Sequence, residues 1–416
     1  PKNFFLNQSI VQFEKIWFFH DHIKETHPID VNFLQNFEKK YDINLWKLAI
    51  NERIFYRFYD FHNFTTEEIL SIEEDSCRLF EDIINQVKPT YFLSYLPNFH
   101  HLEILYELCN SVGINTLILS NPILGYKTRI SESREIKNSL KKYTQVQITN
   151  RNFQEMRDYL HSFDISKHLK VSFQKKSNHN LIKSAVEYLF YSDNKHEKTH
   201  YTYFGRTKIS VLKFMLKLSF LKRKRENFIE KNFLTDVDLT KPFVYFPLGV
   251  DPEANILITS PFFTNQTEVI RNIAKSLPIG YQVYVKENPA QVNREWRDVT
   301  EYQEIMKIPN VKLLHPSVSN KILLENSSIV VTIAGTSGFE AAFYEKPSII
   351  FGDTIYALLP SVHRVKEIEK LPEIISNCLS EKVHASDLDK FLVLLHKDTF
   401  DFDLRGFHSK IMEYFF

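Results

Sequence analysis

Apolar and polar positions divide the chain into two stretches of different texture. Over residues 1–90 the apolar positions recur mostly at helical spacing, with polar breaks at His27-Pro28 and at Asn63-Phe64-Thr65-Thr66. Thr65-Thr66-Glu67-Glu68 is a capping-type start for the helix that follows. After Lys88-Pro89, the run Tyr91-Phe92-Leu93-Ser94-Tyr95 reads as a strand. A helix from His101 to Val112, stopped by Gly113, leads to a second strand from Asn115 to Leu119. That βαβ unit predicts a parallel sheet with helices on its faces. Residues 150–200 read as helices with little strand signal.

The texture changes at Thr240-Lys241-Pro242. From there strands and helices alternate with short links. The expected elements are a strand from Phe243 to Leu248, a helix from Thr267 to Leu277 and a strand from Gln282 to Lys286. A helix over 299–307, a strand from Val311 to Leu314 and a helix from Asn320 to Glu325 follow. Next comes the β-branched run Ser328-Ile329-Val330-Val331-Thr332-Ile333, which has the look of a buried parallel strand. Gly335-Thr336-Ser337-Gly338 follows it and opens a helix whose apolar face is Phe339, Ala342 and Phe343. The pattern predicts an α/β fold of two Rossmann-like domains facing a central crevice. Expected bounds are 1–239, 240–390, and a helical tail over 391–416.

At 416 residues the chain exceeds the usual size of one core. Its net charge of +1 gives no global case for nucleic acid as a partner. Cys77, Cys109 and Cys378 are too widely spaced for a zinc or disulfide framework, which fits a reducing, cytoplasmic setting. No apolar run reaches the roughly 18 residues of a spanning helix, and no signal peptide is evident. The chain opens on Pro1 with residues 10–19 already patterned like the inside of a fold. A preceding segment, including a first strand, is the expectation there.

Ligands bind at the carboxyl ends of parallel strands. Three loops qualify: 248–253 leading into Thr259-Ser260-Pro261-Phe262, Lys286-Glu287-Asn288-Pro289, and Gly335 to Glu340. The chain has only 9 Gly, and two fall in the window Gly335–Gly338. Small residues let the backbone approach a ligand, and the first N–H groups of a helix point outward, so this window is a candidate phosphate seat. An ordinary βα turn would look the same. Lys286 either neutralises a phosphate or is a strand-end surface lysine. Glu340 either grips ribose hydroxyls or is simply an acid favoured near a helix N-terminus. The absence of GxGxxG after a strand, GxxxxGK[ST], HExxH, CxxC and GxSxG argues against dinucleotide, P-loop, zinc-protease and serine-hydrolase chemistry. No metal site can be argued. The segment from Lys208 to Arg225 is apolar with basic punctuation. It suits either an anionic membrane surface or an interdomain helix with a solvated basic tip.

Taken in order, several second-half segments resemble the capsule polysaccharide biosynthesis glycosyltransferases. They are Val244-Tyr245-Phe246-Pro247-Leu248, Ser260-Pro261-Phe262-Phe263-Thr264-Asn265-Gln266, Val285-Lys286-Glu287-Asn288-Pro289, Pro309-Asn310-Val311 and Thr332 to Ala341. Those are GT-B enzymes related to bacterial Kdo transferases. The resemblance covers 243–356 well. It is weaker in the first half, through Phe13-Glu14-Lys15-Ile16-Trp17, Asn44-Leu45-Trp46 and His100 to Cys109. It implies a nucleotide-sugar donor, a co-substrate with no separate cofactor, held by the C-terminal half. Candidate donor contacts are Ser260, Gln266, Lys286, Asn288, Pro289, Gly335, Thr336, Ser337, Gly338 and Glu340. Relatives often use CMP-activated acidic sugars such as Kdo and carry His-Pro where this chain has Asn288-Pro289. Asn donates a hydrogen bond but cannot be cationic. The family's catalytic acid after an N-domain strand is also missing, since 120–125 holds no carboxylate.

The acceptor, a surface-polysaccharide or lipid-linked glycan, falls to the N-terminal half. An inverting transfer needs a general base there. His100 is the first candidate, with Glu14 and Asp21 next and His101 and Glu103 nearby. The alternative for His100 is a helix-start histidine that only bonds backbone. No DxD-like pair sits at a strand end, so metal independence is expected, with a helix N-terminus stabilising the leaving phosphate. The readings from other classes are a non-catalytic GT-B-like nucleotide- or glycan-binding partner, and a sugar epimerase of the UDP-GlcNAc 2-epimerase type. The expected location is the cytoplasm, on the inner face of the cell membrane if 208–225 makes contact.

Overall fold

The computed structural model describes residues 2–24, 26–56, 61–121, 123–125, 127–131, 142–163, 200–251, 254–294, 296–397, 399–404 and 406–407. Among these the strands are β1 (Tyr91–Tyr95), β2 (Asn115–Ser120), β3 (Thr128–Ser131), β4 (Phe243–Pro247) and β5 (Gln282–Lys286). β6 (Val311–Leu314), β7 (Ile329–Thr332), β8 (Ser348–Ile350), β9 (Val362–Arg364) and β10 (Thr399–Phe400) complete the set.

The chain forms two units. Unit 1 comprises 1–134, 183–211 and 398–416, and unit 2 comprises 135–182 and 212–397. The expected single boundary at 239/240 is therefore corrected: the chain crosses between units four times. Composition does not change at those crossings, so the sequence did not mark them. The expected helical tail at 391–416 is corrected too. The helix Ala385–Lys397 starts earlier and buries Leu388, Phe391 and Leu392 in unit 2. The chain then enters unit 1 as β10, antiparallel to β3. A two-residue strand carries no periodic signal.

In unit 1, β1 and β2 run parallel in the order β1-β2-β3-β10, joined by the helix His100–Ser111, and β3 turns back antiparallel. The helix Thr66–Val87 packs against His100–Ser111 and carries the expected capping box at Thr65 and Glu68. Leu34, Phe37, Phe80, Ile104 and Leu108 form one buried cluster, and Ile23, Ile54, Phe55, Ile72 and Tyr201 another. Ile10, Val11 and Phe13 lie exposed, so residues 10–13 are not the interior segment that their pattern suggested. The expected helices over 150–200 are met at Phe153–Ser162, and 164–199 lies outside the described residues.

Unit 2 holds a six-stranded, wholly parallel sheet in the order β6-β5-β4-β7-β8-β9. Counted within the unit this is 3-2-1-4-5-6, the doubly wound nucleotide-binding order. β4 and β7 are covered on both faces, which is why they read as unbroken apolar runs. Val244, Phe246, Val283, Val285, Val331 and Ile349 lead the core. The strand order reverses between β4 and β7, and the carboxyl ends of these strands and of β5 are where ligand chemistry is expected. Among the described residues no helix is long and apolar enough to cross a membrane.

Candidate functional site

β5 ends on Lys286, whose residue is only 5% exposed. Its Nζ donates to Asn320 Oδ1 at 2.6 Å, and the Tyr245 hydroxyl donates to the same oxygen at 3.1 Å. An ammonium has three donors, and Asn320 is its only hydrogen-bond partner among the described residues. Burial lowers the Lys286 pKa to about 8, against the pull of Glu340. Glu340 lies on the helix Ser337–Phe343 after β7 and accepts from Thr336 Oγ1 at 2.9 Å. Burial pushes its carboxyl up, opposed by Thr336 and Lys286. Lys286, Glu340, Thr336 and Asn320 therefore form one constellation at the carboxyl end of the sheet.

The four-residue window between β7 and its helix is narrower as an anion seat than the sequence suggested. The Gly335 N–H donates to Thr332 Oγ1 at 3.1 Å, and the Gly338 N–H to Gly335 O at 3.2 Å. Among the described residues, the N–H groups of Thr336 and Ser337 have no partner. The glycines serve close packing. A Cβ on Gly335 would stand 2.7 Å from Thr332 Oγ1, and one on Gly338 would press on Thr332 and Tyr356.

A buried ion network holds the strand-end loops together. Glu287 accepts from Arg297 Nε at 2.9 Å, Tyr302 OH at 2.7 Å and the Asn288 N–H at 2.6 Å. Arg297 also donates to the Gly249 carbonyl and to Glu301 at 3.2 Å. Burial opposes its charge, but Glu287, Glu301 and Asp251 outweigh that and raise its pKa. The loop after β4 is clamped again by Gln266, whose Oε1 accepts from the Gly249 N–H at 2.8 Å and whose Nε2 donates to Gly249 O at 3.1 Å. Gln266 is thus placed as a loop clamp. Asn288 Oδ1 accepts from the Ala290 N–H at 3.0 Å in a local turn, and Pro289 is exposed. Ser260 is buried with no hydrogen-bond partner for its Oγ. Arg297 and Tyr302 were missed in the sequence because no local pattern ties them to Glu287.

In unit 1 the expectation for His100 meets a correction. Its side chain is fully enclosed, not turned to a ligand. Nε2 lies 2.5 Å from Glu73 Oε1, and Nδ1 lies 3.1 Å from Tyr201 OH. Burial would lower its pKa, but Glu73, Glu52 and Glu103 overcome that and raise it. Both ring nitrogens of His100 are thus engaged inside unit 1. Glu14 is exposed, and Asp21 is exposed and paired with Lys2. Beside His100 sits a histidine that the sequence reading passed over. His200 Nε2 lies 3.4 Å from Glu52 Oε1, and neither ring nitrogen has a hydrogen-bond partner among the described residues. His200 and Tyr201 both adopt left-handed backbone, φ 49° and 57°, a strained state for residues other than glycine. Burial, Arg53, His20 and His100 push the His200 pKa down to about 3. His101 is held well below its usual value by burial and by its histidine neighbours.

One group among the described residues could gather a metal: His363, Cys378 and Glu381. His363 Nε2 already lies 2.6 Å from Glu381 Oε2, and burial pushes the Cys378 thiol up to about 12. A protonated thiol is a poor ligand.

Among solved structures, the chain is similar to the KpsC beta Kdo 2,7 transferase of Thermosulfurimonas dismutans, at 15% identity and TM-score 0.34, covering 85% of this chain and 97% of that one. It is also similar to the UDP-GlcNAc 2-epimerase of Methanocaldococcus jannaschii, at 10% identity and TM-score 0.28, covering 81% and 83%. Protein FixF of Sinorhizobium fredii is 30% identical over 144 residues, a match that spans about a third (34%) of each chain. The family described as Capsule polysaccharide biosynthesis protein matches residues 127–360, more than half of the chain. The chain belongs to the capsule polysaccharide biosynthesis protein family.

Proposed function

We propose that this protein is a glycosyltransferase that moves a sugar from a nucleotide-sugar to a surface glycan or its lipid-linked precursor. The observation that carries this reading is Lys286. It is a buried cation at the ligand end of a 3-2-1-4-5-6 sheet, with a single hydrogen-bond partner among the described residues. Thr336 in the same constellation and its neighbour Ser337 offer N–H groups that have no partner among the described residues.

In this reading the donor's phosphates accept from Lys286 and from the Thr336 and Ser337 N–H groups. These donors stabilise the charge that grows on the leaving phosphate as the sugar–phosphate bond breaks. Glu340 accepts from the ribose hydroxyls, and Asn288 Nδ2 is a further donor near the phosphates. The positive charge comes from the chain itself, so the transfer needs no metal. CMP-activated acidic sugars such as Kdo, used by relatives in the family, are the first donors to try.

Unit 1 takes the acceptor. His200 has Glu52 3.4 Å from its Nε2 and no hydrogen-bond partner on either ring nitrogen among the described residues, but a pKa held down to about 3 leaves it too weak a base at neutral pH to be assigned the acceptor's proton.

The test is thermal shift of the full chain with CMP, UDP and GDP. A ligand that binds only the native state raises the melting temperature. A shift with one nucleotide that is lost in Lys286→Met supports the donor site. Binding without turnover of any sugar conjugate would favour a non-catalytic binding protein.

A further inference from the structure

The helix Lys208–Asn232 runs for 25 residues, yet Ile229 is its only buried side chain. Its last turns are anchored. Phe228 and Ile229 join the core of unit 2, while Arg225 donates to Trp296 O at 3.2 Å and pairs with Asp298 at 3.2 Å. Over 208–224 no side chain is fully buried, although half of the residues are apolar. At about 1.5 Å per residue they form a rod of roughly 25 Å.

The three most exposed apolar side chains on this rod are ordered. Ile209, Leu216 and Phe220 are 64%, 74% and 72% exposed. The spacings i, i+7 and i+11 put all three on one stripe. Lys213 and Lys224 stand along one edge of the stripe, Arg223 along the other, and all three are exposed. From 208 to 225 there are seven Lys or Arg and no Asp or Glu. An exposed apolar stripe of this kind marks a contact site, and its charge restricts what the contact is. A second copy would set one basic rod against another, which repels. Nucleic acid would match the charge but not the apolar stripe. An anionic bilayer matches both, taking Leu216 and Phe220 into its acyl boundary and pairing the flanking cations with headgroups.

We propose that residues 208–224 form an in-plane docking surface for an anionic lipid bilayer. This inference does not depend on the donor site, and its test uses no nucleotide. The full chain is sedimented with vesicles of equal parts phosphatidylglycerol and phosphatidylcholine, and with vesicles of phosphatidylcholine alone. The chain should pellet with the first and stay largely free with the second, and binding should weaken as salt rises.

Leu216→Glu/Phe220→Glu should abolish binding while leaving the melting temperature unchanged, because both residues are exposed. Reversing Lys213, Arg223 and Lys224 singly should each weaken binding by at least about fivefold. Equal binding to both vesicle types would overturn the proposal, as would no binding to either. If the stripe variant instead turns an oligomer into a monomer without affecting vesicle binding, the stripe meets protein and the proposal fails. Unchanged vesicle binding in every variant likewise places any lipid contact elsewhere.

Discussion

Lys286 in unit 2 and His100 in unit 1 occupy similar places. Lys286 ends a parallel strand and His100 opens the helix after one; each is buried, and each is ionisable. They differ in what their polar atoms still lack. His100 has Glu73 and Tyr201 on its two ring nitrogens, at 2.5 Å and 3.1 Å. Among the described residues Lys286 has one hydrogen-bond partner, Asn320, and burial weakens its hold on its proton. Burial at a strand end therefore does not designate a ligand group. Uncommitted hydrogen-bonding capacity at a strand end is what the proposed donor site adds. An imidazole with both nitrogens engaged supports a fold, whereas an ammonium with open donors invites an anion.

The comparison breaks first, and with the largest effect, at the network behind Lys286. Arg297→Met leaves Glu287 buried beside Tyr302 without its cation. It should cost about 3–5 kcal/mol of stability in urea unfolding. A loss near zero would show that the network does not hold the strand-end loops.

Glu73→Gln tests the structural role of His100. The His100 pKa is raised in the folded state. Its charged form therefore stabilises the fold fully below its unfolded value of about 6.5, and that contribution is lost as pH rises through the folded value. Unfolding measured at pH 6 should show a gap between the native protein and Glu73→Gln, and the gap should shrink as pH is raised above 6.5. Nucleotide binding should not change. A pH-independent gap would remove the ion pair from the account, and lost nucleotide binding would erase the contrast with Lys286.

Lys286→Met should do the opposite. Its folded pKa is lowered from 10.5 to about 8, so the folded state holds fewer protons than the unfolded state between those values. Stability should rise with pH across that window in the native protein and not in Lys286→Met. The variant should be at least as stable as the native protein at pH 7, yet bind nucleotide tenfold to a hundredfold more weakly. This follows from hydrogen bonds to charged groups contributing about 1.5–3 kcal/mol.

The smallest expected effect is at Thr336. Its φ of −62° already suits proline. Thr336→Pro removes one N–H from the seat together with the Oγ1 bond to Glu340, which Thr336→Val removes alone; affinity should fall about tenfold further in the proline variant than in the valine one, measured by calorimetry. Equal affinity in the two variants would exclude this N–H from phosphate binding.

Much of unit 2 was legible because its information is local. Unbroken β-branched runs marked β4, β5 and β7, and short links between strands and helices marked the parallel order. Lys286, Thr336, Ser337 and Glu340 stood out as strand-end and helix-start residues, and the structure brings them together. What escaped depends on long separations. Glu73 is 27 residues from His100 and Tyr201 is 101. Glu52 meets His200 across half the unit. Gln266 was assigned to a ligand because its neighbours look functional, but its amide closes on Gly249. The four crossings between units left no mark in composition, and β10 is too short to have a period.

The most direct test of the donor site is calorimetric binding of CMP, UDP and GDP to the native protein and to Lys286→Met as pH is raised. A bound phosphate should keep Lys286 protonated. Affinity for the preferred nucleotide should therefore be flat near pH 7 and fall once pH passes about 8, where free Lys286 loses its proton. In Lys286→Met, affinity should be weak and independent of pH across the same range. Equal affinity in the two proteins, with no fall above pH 8 in the native one, would contradict the claim that this buried lysine holds the donor.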